Sequence, residues 1–198
     1  MARIAPDAEA ATPELQASFE RYKKYLGFIP NSVLILQRRP QMVIALGQLI
    51  AAAWGPDSTV DAGFKRIIAY MASHAAGCQY CVAHQVSGAL HLDVSEQKLA
   101  AIWDYEASPL YSEKERVALE YAGAAASVPN NVTDALFDRM KEHWSEDQIV
   151  EITGVISVFG FLNRFNDTMA TPLEPEAVED ANRILGKQRW SPGKHAVR

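Results

Sequence analysis

No run of four residues in this 198-residue chain alternates cleanly between β-branched apolar and polar side chains, so nothing in it reads as a strand. What recurs is apolar spacing of three to four residues between capping signals, the mark of amphipathic helices. Leu15, Phe19, Tyr22 and Leu26 share one face of a helix over 13–26, which Gly27 ends. Phe64, Ile67, Ile68 and Met71 make a second stripe, capped by Ser58 or Asp61. Ser112 with Glu115, and Ser145 with Gln148, have the spacing of capping boxes, in which two orphan N–H groups are satisfied reciprocally. The chain is predicted to be all-α.

The intervening signals divide the rest. Residues 28–32 read as a turn into an apolar segment over 33–37, and Pro40 opens a helix through Trp54 that Gly55-Pro56 stops. Ala75-Ala76-Gly77 is a break, followed by a cysteine-bearing helix to about Leu92. Ser95 caps a helix ending near Trp103. Further helices are predicted from Ser112 to about Ser127, from Thr133 to His143, from Gln148 to about Asn166 and over 176–185. Asn and Asp in the Asn163-Arg164-Phe165-Asn166-Asp167 block are read as terminating the long helix, with Arg164 pairing a carboxylate. We expect one domain over 1–198 with two similar helical halves, about 13–104 and 110–185, and a basic C-terminal arm over 186–198. Arg66 to Cys78 spans the same twelve residues as Glu151 to Asn163, which suggests a faint internal repeat.

Charge and hydropathy exclude two partner classes. A net charge of -5 and a pI near 5.5 leave no basic surface for nucleic acid, and Lys23-Lys24 and Arg38-Arg39 are too brief to make one. No run reaches the about 18 apolar residues that span a bilayer; the stretch from Met42 to Trp54 is interrupted by Gly47 and Gln48. Residues 1–6 lack the apolar region of a signal peptide. A cytoplasmic protein is expected, and in a reducing compartment a lone C-x-x-C is catalytic or metal-binding rather than a staple.

Both cysteines lie in Gly77-Cys78-Gln79-Tyr80-Cys81-Val82-Ala83-His84. On a helix, positions i, i+3 and i+6 wrap slowly around one side, so Cys78, Cys81 and His84 share a face. With Gly77 as the opener, the thiols sit in the first turns, where free N–H groups and the macrodipole favour a thiolate. His84 is then placed to take a proton from Cys81 or stabilise its charge. A metal site at Cys78, Cys81 and His84 would need a fourth ligand, and His74 could supply it only through an unbroken helix, so no metal is expected. The bland alternatives are inert buried thiols, a structural His84 and a Tyr80 that merely packs.

These residues, joined to Ser112-Glu113-Lys114-Glu115-Arg116-Val117-Ala118-Leu119 and Phe159-Gly160-Phe161-Leu162-Asn163-Arg164-Phe165-Asn166-Asp167, resemble the carboxymuconolactone decarboxylase superfamily, in its peroxidase-related, alkylhydroperoxidase D-like branch. The resemblance runs over roughly residues 25–185. It implies an AhpD-like all-α fold and a homo-oligomer (dimer, trimer or hexamer). It also implies Cys81 as the peroxidatic cysteine and Cys78 as the resolving one. Two positions depart from the pattern. Arg66 stands where the family's relay glutamate lies twelve residues before the first cysteine, and Gln85 stands where its histidine follows the second. Glu115, Glu120 and Glu151 are the candidates for the missing carboxylate.

The resulting expectation is a thiol-dependent peroxidase that reduces organic hydroperoxides through Cys81 and Cys78, with His84 as base and Tyr80, Arg66 and Gln85 in support. It would need no cofactor beyond an external thiol or disulfide reductant protein. Two alternatives stand beside it: a lyase using His84 and Arg66 on a small anionic lactone or acid, and a non-catalytic oligomeric binding protein.

Overall fold

The computed structural model describes residues 2–9, 12–186 and 189–197. The elements are helical throughout those residues: α1 (Pro13–Leu26), α2 (Asn31–Leu36), α3 (Pro40–Ala53), α4 (Ala62–Ala75), α5 (Gln79–Leu90), α6 (Glu96–Ala100), α7 (Glu113–Ala126), α8 (Asp134–His143), α9 (Glu146–Met169) and α10 (Pro175–Leu185), with short 3-10 turns at Ala101–Asp104 and Gly193–His195. The capping signals explain most of these boundaries. Gly27 closes α1 at φ 79, a left-handed conformation that glycine adopts without Cβ strain. Both capping boxes form, at Ser112–Glu115 and Ser145–Gln148.

Of the two caps proposed for α4, Asp61 takes the role, its carboxylate accepting from Phe64 N–H at 2.7 Å. Ser58 is used differently: its hydroxyl bonds Glu151 and the buried ammonium of Lys65. The long helix also differs from expectation. It runs on to Met169 and closes at Ala170 in a left-handed conformation, φ 49. Asn163 and Asn166 are therefore not terminators; both are buried side chains on its inner face. Among the described residues Arg164 pairs no carboxylate; it donates to Gly160 O at 3.2 Å.

Helix α4 is the centre of the molecule and packs against α5, α7 and α9. Ile67, Ile68, Ala69 and Ala72 on α4 are at most 1% exposed and join Ile152, Val155 and Leu119 in one apolar core. The small residues allow close helix approach, and the branched ones supply the buried area. A second, smaller cluster of Leu15, Phe19, Val33, Leu36 and Val43 ties α1, α2 and α3 together on one side. No described helix is long and apolar enough to cross a membrane.

The expected C-terminal arm is tucked in rather than free. Within its described residues, Trp190 and His195 are buried, and His195 O accepts from Leu173 N–H at 2.9 Å. Lys187, Gln188 and Arg198 lie outside the described residues.

Candidate active site

The chain reverses at Gly77, whose φ of 74 is left-handed, and α5 doubles back along α4. Gly77 is thus the turn and not the opener. Cys78 is itself the N-cap, and Cys81 sits one turn in. Both thiols are free and buried, and they approach to 3.4 Å. A hydrogen bond from Cys81 pulls the Cys78 thiol below its ordinary pKa, in the direction the helix N-terminus also favours. Burial pushes the Cys81 thiol well above it. The shifts run in opposite directions, so Cys78 is the more acidic of the two thiols and Cys81 the donor between them.

Asn166 of α9 reaches Cys81 from the other side, its Nδ2 lying 3.6 Å from Sγ. Its orientation is fixed because Thr171 Oγ1 donates to Asn166 Oδ1 at 2.9 Å, which turns the amide N–H toward sulfur. Among the described residues, the side-chain hydrogen bonds of Cys81 go to Asn166 and Cys78, not to His84.

His84 is oriented by a carboxylate that sequence reasoning missed. Its Nε2 lies 2.7 Å from Glu174 Oε2. The other oxygen, Oε1, accepts from the Tyr80 hydroxyl at 2.9 Å and from Asn31 N–H at 2.5 Å. The Tyr80 oxygen in turn accepts from Ser32 N–H at 3.2 Å. Burial alone would raise the Glu174 pKa, but the adjacent His84 charge and these donors outweigh it and hold the carboxyl below its ordinary range. Tyr80 is pushed well up by burial and by Glu174, so it stays a phenol donor. The signal for Glu174 was local: glutamate is a poor N-cap residue, yet it stands at the N-cap of α10 directly before Pro175. The three carboxylates considered instead are engaged elsewhere. Glu115 completes a capping box and pairs Lys98, Glu120 pairs Arg139, and Glu151 pairs Lys65.

Cys81, His84, Tyr80, Arg66, Gln85 and Asn166 all line one cavity of about 620 Å³ between α5, α9 and the α1–α3 layer. Its other walls are apolar, including Tyr22, Val33, Leu36, Ile50, Trp54, Phe159 and Phe165. Because α5 folds back on α4, Arg66 meets Gln85, donating to Oε1 at 3.2 Å. Its guanidinium carbon lies 4.9 Å from the Trp54 ring centroid. A Cβ at Gly88 would stand 3.1 Å from Arg66 Nε, so a larger residue there would have to displace the guanidinium by a few tenths of an ångström. Burial lowers the Arg66 pKa to about 10, and its Nε has no hydrogen-bond partner. Among the described residues, two arginines, Arg21 and Arg66, and no carboxylate line the cavity.

His74 packs against Tyr70 and Trp103, away from the thiols, which removes the four-ligand arrangement weighed from the sequence. Behind Cys78, on the side away from the cavity, the ligand atoms of Cys78, Asp167 and His195 lie within 4.8 Å of one another. Lys194 already neutralises Asp167 at 2.7 Å, and three donors leave a tetrahedral ion one short.

Comparison with known proteins agrees with this architecture. Residues 40–124 match the carboxymuconolactone decarboxylase family. YnjA of Escherichia coli (strain K12) is 32% identical over 153 residues, 77% of this chain and 84% of its own. The crystal structure of the debrominase Bmp8 superposes with a TM-score of 0.85 at 30% identity, covering 91% of this chain and 97% of that one. The AhpD-core peroxidase-related protein from Ralstonia eutropha JMP134 superposes with a TM-score of 0.78 at 21% identity, over 89% and 94% of the two chains, a likeness of fold alone. The motif and these matches place the chain in the carboxymuconolactone decarboxylase family, with an AhpD-like fold.

Proposed function

We propose that the protein is a thiol-dependent oxidoreductase that reduces organic hydroperoxides through a Cys81–Cys78 dithiol–disulfide cycle. The observation that carries this reading is the position of Cys81: it lines an apolar cavity with Cys78 3.4 Å away and fully buried. A small organic substrate reaches one sulfur only, and the other stands ready to displace whatever that sulfur acquires.

The site residues supply a balanced sequence. Cys81 passes its proton to the Cys78 thiolate as it attacks the terminal oxygen of ROOH. The O–O bond breaks, and the leaving alkoxide takes a proton from a protonated His84. The products are ROH and a Cys81 sulfenic acid. Cys78 then attacks the Cys81 sulfur, the S–O bond breaks, and water leaves with the disulfide formed. An external dithiol returns both sulfurs to the reduced state. Glu174 holds Nε2 of His84, so Nδ1 is the ring nitrogen that exchanges protons. Asn166 N–H steadies negative charge on Cys81, and Arg66 offers a charged anchor for an anionic group.

The debrominase similarity favours one second reading, in which the same pair reduces a halogenated aromatic. A cysteine-to-alanine variant of Bmp8 has been crystallised with 2,3,4-tribromopyrrole, at 30% identity and a TM-score of 0.85 to this chain. The apolar cavity and Arg66 suit such a ligand; the dithiol would supply the two electrons, the C–Br bond giving way to C–H as bromide leaves and Cys78 and Cys81 close to the disulfide.

Turnover of cumene hydroperoxide and of 2,3,4-tribromopyrrole with a dithiol donor tests both readings. Either activity should vanish in Cys81→Ser. Activity on any substrate that survives alkylation of both thiols would instead support the lyase alternative.

A further inference from the structure

The C-terminal segment brings a second histidine and a second carboxylate to the dithiol, on the face of Cys78 that the cavity does not reach. The structure assigns His195, supported by Asp167, as the acid–base partner of Cys78, so that each sulfur is served by its own carboxylate–histidine pair. This rests on the dithiol cycle proposed above.

The tautomer of His195 points to this role. Its Nδ1 lies 2.7 Å from Thr171 O, and a carbonyl can only accept, so Nδ1 carries the hydrogen. The lone pair is then on Nε2. That atom is buried in a residue with 0% exposure, has no hydrogen-bond partner, and lies 3.6 Å from Asp167 Oδ1. The ligand atoms of His195, Asp167 and Cys78 lie within 4.8 Å of one another. An unpartnered basic nitrogen, a carboxylate and a sulfur therefore converge with no donor among them. Nε2 is thus a buried acceptor left unsatisfied, which a transferable proton from Cys78 relieves.

The peroxide step supplies that proton. When Cys81 becomes a sulfenic acid, Cys78 holds the proton that Cys81 gave up, and it must lose it before attacking. His195 Nε2 takes it, and Asp167 stabilises the imidazolium so formed. Cys78 then forms the S–S bond, hydroxide leaves the Cys81 sulfur and takes a proton from solvent to become water, and His195 keeps its proton until reduction by the external dithiol returns it to Cys78. The charged and titratable groups facing this site are Cys81 and Tyr80 from α5, Asp167 from α9, and Lys194 and His195 itself from the tail. Burial holds His195 below its ordinary pKa, so it is neutral and ready to accept at pH 7.

His195→Asn tests the assignment, because an asparagine amide keeps the donor to Thr171 O and removes the basic atom; an unchanged Tm checks that the tail still docks. With cumene hydroperoxide, dimedone trapping should show Cys81 sulfenic acid forming at the wild-type rate. Disulfide formation, followed by intact mass, should slow by about tenfold or more. Disulfide formation at the wild-type rate would overturn the assignment. A second readout does not depend on the peroxide reading. In Cys81→Ser, thiolate absorbance at 240 nm reports Cys78 alone, and adding His195→Asn should raise its titration midpoint by about one pH unit or more. Coincident titration curves would also overturn it. If wild-type protein forms neither sulfenic acid nor disulfide, the proposed function fails, and the 240 nm titration still decides the pairing.

Discussion

His84 Nε2 stands 2.7 Å from Glu174 Oε2, joining the cysteine helix to a residue 90 positions later in the chain. The carboxylate–histidine pair of this site is thus assembled from α5 and the N-cap of α10, not from α4. With arginine at position 66, α4 is free to carry a cation into the cavity. The carboxylate comes from α10, where Tyr80 and Asn31 at the start of α2 hold its Oε1 and leave Oε2 to His84.

Glu174→Gln should lower kcat/KM for hydroperoxide by about 10²-fold, the usual contribution of a positioned acid–base group. The pH dependence follows from the sign of the shift. Glu174 titrates below its ordinary range in the folded protein. Its stabilisation is therefore complete above about pH 4.3, the ordinary carboxylate value, and is lost as pH falls through the lower folded value. Thermal unfolding between pH 7 and 3 should show this acid-side loss in the wild type and a shallower one in Glu174→Gln.

Arg66→Met should separate binding from chemistry. KM for a carboxylate-bearing hydroperoxide should rise about tenfold, with a smaller effect on neutral cumene hydroperoxide and little change in kcat. Arg66 is pulled down to about 10 by burial, so its charge opposes folding at neutral pH. The variant should accordingly have a higher Tm than the wild type. A lower Tm with an unchanged KM would mean that Arg66 is structural.

Glu151→Gln should destabilise the fold without touching the dithiol. Lys65 is 0% exposed, and its ammonium is held by Glu151, by Ser58 and by Ala53 O at 2.6 Å. Removing the carboxylate strands a buried cation at a cost of about 3–5 kcal/mol. The Glu151 carboxyl is held down to about 2, since bonds from Lys65, Ser58 and Thr59 outweigh the opposing effect of burial. Its stabilisation is therefore present above about pH 4.3 and lost as pH falls toward 2. Chemical denaturation at pH 7 and at pH 3 should find the variant's deficit smaller at the lower pH.

Local signals made most of the helices legible. Caps at Asp61, Ser95, Ser112, Thr133 and Ser145 act through bonds three residues away, so the sequence reports them directly. The C-x-x-C helix was legible for the same reason. What was not legible came from long range. Asn166, Asp167 and His195 reach the two sulfurs from α9 and the tail, across 85 positions in the case of Asn166 and Cys81, and Glu174 reaches His84 from the start of α10. Spacing rules carry no information at that separation. In sequence, Asn166 and Asp167 have the character of helix terminators, because both side chains compete for backbone hydrogen bonds. Only the packing of α9 on α5 turns them toward the thiols.

The most direct test of the central claim is intact-mass analysis after one equivalent of cumene hydroperoxide, alongside the pH dependence of Cys81 alkylation. The account predicts a Cys78–Cys81 disulfide two mass units lighter in wild type, a trappable sulfenic acid on Cys81 in Cys78→Ser, and no oxidation at Cys78 in Cys81→Ser. It also predicts a Cys81 that alkylates slowly at pH 7, because its proton is held by burial. A sulfenic acid appearing first on Cys78, or both thiols left reduced while substrate is consumed, would contradict it.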